Sequence, residues 1–83
     1  MDEIKSKILD IIIKTMNLDI DKSAVAGNDL IAELGINSVD ALEIFVWIEN
    51  EFDIQIDDDD LNSELIGSLD SIADYVAKKQ AKR

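Results

Sequence analysis

Apolar residues recur along this chain at spacings of three and four, broken by polar stretches that mark where helices end. Ile4, Ile8, Ile11, Ile12, Thr15 and Met16 form one stripe of a helix that opens at Asp2 or Glu3 and stops near Asn17. Lys5, Lys7, Asp10 and Lys14 fall mostly off that stripe, as on a core-facing amphipathic helix. A second helical pattern spans Ser38 to about Phe52. On a wheel at about 100° per residue, Ala41, Ile44, Phe45, Ile48 and Phe52 share a core-facing side. Asp40, Glu43, Trp47 and Glu51 gather on another side, flanked by Val39, Val46 and Asn50, with Leu42 at the margin. A last helix starts at Gly67 or Ser68, with Leu69, Ile72, Ala73 and Val76 inward and Tyr75 at an edge.

The connections are less regular. Between Asn17 and Asn37 runs a long loop with a turn at Gly27-Asn28, which Leu18, Ile20, Val25, Leu30 and Leu34 can pin to the core. Within it, residues 29–34 allow a short helical turn closed by Gly35 as a C-cap. Residues 53–56 read as an extended link. Asp57 to Asp60 then start a third, short helix that turns Leu61 and Leu65 inward. The fold expected is all-α, a small four-helix bundle of three longer helices and one short one with a long first loop, built as a single domain over residues 1–83.

Composition narrows the chemistry. At 47 % hydrophobic residues the chain is too apolar for a disordered acidic tail. It has no cysteine and no histidine, which excludes disulfides, thiolate nucleophiles, the usual zinc sites and histidine catalysis. Met1-Asp2-Glu3-Ile4-Lys5 does not form a signal peptide, and no apolar run reaches membrane-spanning length, so a cytoplasmic protein is expected. The net charge is -11, and its distribution matters more than its total. Lys5, Lys7, Lys14 and Lys22 lie at one end of the chain and Lys78, Lys79, Lys82 and Arg83 at the other. Between Ser23 and Ala77 every charged residue is an acid. Such a surface repels nucleic acid and anionic lipid and favours basic partner proteins; the same acidity also keeps a small protein soluble.

The centre of interest is Leu34-Gly35-Ile36-Asn37-Ser38-Val39-Asp40. Asn37 suits an N-cap, since its side-chain oxygen can accept from the orphan amides of the first turn. Ser38 then stands exposed at the positive end of a helix, a place that favours a phosphate. Behind it, Val39, Leu42, Val46 and Trp47 interleave with Asp40, Glu43, Glu49 and Glu51. That mixture reads as a docking patch, or else as a surface on which Trp47 folds down against a neighbouring helix.

With these residues in place, the chain resembles the acyl carrier proteins of the phosphopantetheine-dependent family. The likeness covers nearly the whole chain. It rests on Leu30-Ile31-Ala32-Glu33-Leu34-Gly35-Ile36-Asn37-Ser38-Val39, Glu43, Ile48-Glu49-Asn50-Glu51-Phe52, Ile54-Gln55-Ile56 and the late Leu69-Asp70-Ser71-Ile72-Ala73-Asp74-Tyr75-Val76. By this resemblance Ser38, with Asn37 capping beside it, is where a transferase attaches 4′-phosphopantetheine from coenzyme A. The arm's thiol carries acyl groups as thioesters for enzymes of fatty acid, lipid or polyketide-type synthesis. Those enzymes present basic patches to Val39, Asp40, Leu42, Glu43, Val46, Trp47, Glu49 and Glu51, and the carrier is a monomer that needs no catalytic base of its own. By the same resemblance Leu30, Ile31, Ile48, Ile56, Ile66 and Ile72 are the positions that would shelter an acyl chain, although ordinary core packing explains them equally well.

Three features depart from the family's pattern: Asn37 in place of the usual aspartate, Trp47 where a small residue is common, and Asp57 where a proline is frequent, followed by a link that is two residues longer. Together they suggest a specialised carrier. A different class of function is an acidic helical adaptor without a prosthetic group. Calcium binding is disfavoured, because Asn17-x-Asp19-x-Asp21 has Lys22 where an EF-hand loop needs glycine and Asn28 at its twelfth position.

Overall fold

The computed structural model describes residues 2–82, so Arg83, placed by its charge at the end of the last helix, lies outside the described residues. Within them are five α-helices: α1 (Asp2–Thr15), α2 (Leu30–Leu34), α3 (Ser38–Phe52), α4 (Ser63–Gly67) and α5 (Leu69–Ala81). Two single 3-10 turns, Lys22–Ala24 and Asp58–Asp60, sit in the loops. Three helices are long and two short, and the architecture is the small all-helical bundle expected. The short turn after Gly27 proves to be a helix in its own right.

α1 packs against both α3 and α5, while α4 packs on α5 and α2. Ile8 and Ile12 from α1, Ile44, Phe45, Ile48 and Phe52 from α3, and Ile72, Ala73 and Val76 from α5 make the centre of the core. Leu30, Ile36, Ile56, Ile66 and Leu69 close it from the shorter segments and the start of α5. Leu9, which the single stripe omits, is buried as well, because α1 is covered on two sides. Among the described residues no polar or charged side chain is buried. Every charge therefore works at the surface.

The ends of the helices follow from local chemistry. α1 stops where Asn17 turns left-handed at φ 55°, with the Leu18 amide returning to the Ile13 carbonyl at 2.9 Å. α2 is capped by the Asp29 side chain and ended by Gly35 at φ 67°. The acidic run departs from expectation. It makes only the 3-10 turn, and the helix that follows begins at Ser63, where Asn62 accepts from the Leu65 amide at 3.0 Å. Adjacent carboxylates repel one another, whereas Asn62 supplies a cap that aspartates held in a 3-10 turn do not. Ser68 caps α5 through the Ser71 amide at 3.1 Å.

The long loop is pinned at one glycine. Gly27, at φ 84°, accepts from the Leu69 amide at 2.9 Å. The Glu33 carboxylate meanwhile holds the amides of Ala26 and Gly27 at 2.9 and 2.8 Å. Leu18, Val25 and Leu34 are half-buried and Leu30 fully so, but Ile20 is exposed and does not help to pin the loop. The acidic link is tied to α5. The Tyr75 hydroxyl donates to Asp60 at 2.8 Å and accepts from the Asp57 amide at 3.2 Å, while Lys79 pairs with Asp57 at 2.9 Å.

Candidate functional site

The link from α2 to α3 is three residues long, and each has a distinct task. Gly35 reverses the chain in a left-handed conformation, and Ile36 drops into the core. Asn37 takes an extended backbone, φ -98° and ψ 177°, and its side-chain oxygen accepts from the Asp40 amide at 2.8 Å. Ile36 just before the cap and Ala41 in the first turn stand where a hydrophobic staple fixes the angle of entry. Ser38 is thereby delivered to the first position of a fifteen-residue helix. It is exposed, and its hydroxyl has no hydrogen-bond partner among the described residues.

Beside Ser38 opens a cavity of about 440 Å³ between α2, α3 and α4. Its walls are mostly hydrocarbon: Ile31, Ile36, Leu42, Phe45, Leu61 and Ile66. Asn37, Ser38, Asn62 and Ser63 supply polar groups to the same cavity. Of the six residues expected to shelter an apolar chain, Ile31 and Ile66 line this space. Leu30, Ile48, Ile56 and Ile72 are packed into the core and do not line it. Leu42 and Phe45 were missed, although their spacing from Ser38, four and seven residues along α3, carries the signal: it puts all three on one side of the helix.

Along α3 the exposed patch is present as read. Val39, Leu42, Val46 and Trp47 are 69, 56, 52 and 54 % exposed, so Trp47 is not folded away against a neighbour. Glu43 and Glu51 are exposed and Asp40 is half-buried. Glu51 faces Lys7 at 3.9 Å. Glu49 is different. It is half-buried, and its carboxylate accepts from the Ile56 amide at 2.8 Å, holding the link after α3.

The chemistry of this arrangement fits the arm implied by the resemblance. An exposed, unengaged hydroxyl at a helix N-terminus can be esterified by phosphate without breaking a bond within the fold, and the helix dipole favours the charge it brings. The apolar cavity adjoins that hydroxyl. Among the described residues there is no cluster of three or more carboxylates able to hold a metal ion, and no helix is long and apolar enough to cross a membrane.

Comparison with known proteins gives the family. Residues 6–76 match the family described as the phosphopantetheine attachment site. The acyl carrier protein of Chlorobium phaeovibrioides is 39 % identical over 77 residues, covering 93 % of this chain and 95 % of the relative. That of Bdellovibrio bacteriovorus is 36 % identical over 76 residues, covering 92 % and 94 %. That of Buchnera aphidicola is 32 % identical over 82 residues, covering 99 % and 100 %.

Proposed function

The chain belongs to the family of phosphopantetheine-bearing acyl carrier proteins, and on that premise we propose that Ser38 is where its arm is joined. The protein is a carrier of acyl groups on a 4′-phosphopantetheine group, a role the comparisons favour over that of an adaptor without one. The observation that carries the choice of Ser38 is its exposed, unpartnered hydroxyl at the Asn37-capped start of α3, at the edge of an apolar cavity.

This chain's own part is to present and to shelter. When bound, the arm supplies a thiol of pKa near about 8.5, a good leaving group for acyl transfer. Asn37 fixes the backbone on which the Ser38 oxygen stands. Ile31, Leu42, Phe45 and Ile66 offer hydrocarbon to the first part of an acyl chain. With neither histidine nor cysteine in the chain, proton transfer during loading and unloading falls to the transferase and the acyl-handling enzymes, and the chain is not itself a catalyst.

Those partners dock, in this reading, on Val39, Asp40, Leu42, Glu43, Val46, Trp47 and Glu51. Each exposed ion pair formed there is worth roughly 0.2–1 kcal/mol. Such pairs speed encounter and orient the carrier while leaving release fast. Glu49 stands at the border of the patch as a brace for Ile56. The protein acts as a cytoplasmic monomer, and residues 1–83 form one acyl-carrier-like domain. Asn37, Trp47 and the longer link that begins at Asp57 together support reading it as a specialised carrier.

The decisive test is the mass of the intact protein after incubation with coenzyme A and a broad-specificity transferase. A gain of one phosphopantetheine that disappears in Ser38→Ala is expected. A gain that persists in Ser38→Ala would move the attachment site elsewhere, and no gain with any transferase would defeat the assignment.

A further inference from the structure

A concavity of about 690 Å³ lies between α1 and α3, away from the cavity at Ser38. Each helix contributes a stripe with the same plan. From α1 come Lys7, Ile11 and Lys14, and from α3 come Glu43, Trp47 and Glu51. The floor is therefore apolar, Ile11 beside an indole that is 54 % exposed. The walls have opposite charge. At one end Lys7 and Glu51 close on each other loosely, at 3.9 Å. Lys14 and Glu43 have no ion-pair partner among the described residues, whereas Asp10, also on this wall, is engaged by Lys22 at 3.1 Å.

We propose that this groove receives one amphipathic helix of a partner protein, with an apolar seam on Ile11 and Trp47, basic residues facing Glu43 and Glu51, and acidic residues facing Lys7 and Lys14. The charge pattern selects that occupant. A uniformly basic helix would suit the carboxylates of α3 but meet two lysines on α1, and a uniformly acidic one would meet two carboxylates on α3. Like charges brought together in this way count against the wrong partner as much as opposite charges favour the right one. A second copy of the chain, at net charge -11, brings strong mutual repulsion instead. Opening the Lys7–Glu51 pair costs little, because exposed pairs of this kind are weak. The indole is the anchor, a large rigid side chain whose covering contributes most to such an interface. The groove shares Glu43, Trp47 and Glu51 with the docking face of α3 and adds to it the lysine-bearing wall of α1, so that only partners with both charges flanking an apolar seam can fill it.

The test is made on the Ser38→Ala chain, so that it does not depend on the arm or on where the arm is attached. Three synthetic helical peptides of equal length share a leucine seam. One carries arginines on one flank and glutamates on the other, one carries arginines on both flanks, and one carries glutamates on both. Binding is read from the anisotropy of labelled peptide and from the emission of Trp47, the chain's single tryptophan. The mixed peptide should bind about ten-fold or more tightly than either other and shift the Trp47 emission to the blue. Trp47→Ala should weaken it about ten-fold or more by anisotropy. Reversing α1 with Lys7→Glu and Lys14→Glu together should transfer the preference to the all-arginine peptide. All three substituted side chains are exposed, and circular dichroism checks that the fold is kept. The proposal is overturned if the all-arginine peptide binds the Ser38→Ala chain as well as the mixed one, or if the double reversal leaves the order unchanged. It also fails if no peptide moves the Trp47 emission, or if sedimentation shows that a second copy covers the groove.

Discussion

Replacing Asn37 by aspartate tests the electrostatics of the site directly. In the wild-type chain the Asn37 oxygen accepts from the Asp40 amide at 2.8 Å, and the backbone is extended at φ -98°. Aspartate can make the same cap, so geometry is kept and only charge changes. A carboxylate at a helix N-terminus gains about 0.3–1 kcal/mol from the dipole. For a domain of this size that is a rise in Tm of about 1–8 °C for the apo protein. The sign with pH follows: the dipole depresses the folded pKa of the new carboxyl, so the gain is present above the unfolded value near about 3.9 and is lost as pH falls through the folded value. Once a phosphodiester is attached to Ser38, two neighbouring negative charges repel by up to about 1 kcal/mol, which should cancel most of the gain. The assay is a set of four melts, the wild-type chain and the Asn37→Asp variant each in apo and phosphopantetheinylated form. The set is repeated at about 1 M salt, where the Debye length falls to about 3 Å. Equal gains in the apo and modified proteins would refute the reasoning, as would a gain unchanged by salt.

Further outcomes follow from the fold. Gly35→Ala meets no atom within 4 Å but must adopt φ 67°, and should lose about 1 kcal/mol. Gly27→Ala carries the same strain and also places its Cβ 3.1 Å from that of Leu69, a residue held by its own bond to Gly27. Its loss should reach about 2–4 kcal/mol by denaturant melt, and equal losses for the two variants would show that Leu69 yields. Tyr75→Phe removes bonds to Asp60 and the Asp57 amide and should cost about 1–2 kcal/mol. Burial raises the Tyr75 pKa above its ordinary value. A raised folded pKa contributes stability that is full below the unfolded value of about 10 and is lost as pH rises through the folded value. The alkaline limb of the stability profile should therefore be shallower in Tyr75→Phe, and an unchanged limb would refute this.

Much of the architecture could be read from local rules. The bounds of α3, the Asn37 cap and the reversal at Gly35 depend on hydrogen bonds spanning three or four residues, and the side chains that make them lie in plain sequence order. The exposed row of Val39, Leu42, Val46 and Trp47 followed from helical periodicity in the same way. What escaped were matters of tertiary placement. Leu9 is buried because α1 has neighbours on two sides, which no single-helix wheel reveals. Glu49 reads from the helix alone as a docking residue, and its further task of accepting from the Ile56 amide emerges only when the chain returns past α3. The apolar cavity could not be lined correctly, because α2 and α4 provide part of its wall and their distance from α3 is set by the folded loops. The acidic run gave only a 3-10 turn because Asn62 offers a better helix start than aspartates crowded against one another.

The bond from the Leu69 amide to the Gly27 carbonyl has a consequence for how the molecule opens. Amides in the first turn of a helix ordinarily lack an intrahelical acceptor and exchange with water almost as fast as in a coil. Here that orphan donor is claimed by a carbonyl far back in the chain, which the two-handed grip of Glu33 holds in place from α2. Release of the Leu69 hydrogen to deuterated solvent therefore requires the early loop to lift off α5 or the whole bundle to come apart. A single backbone position becomes a sentinel for the closure of the domain, silent to fraying at either tip.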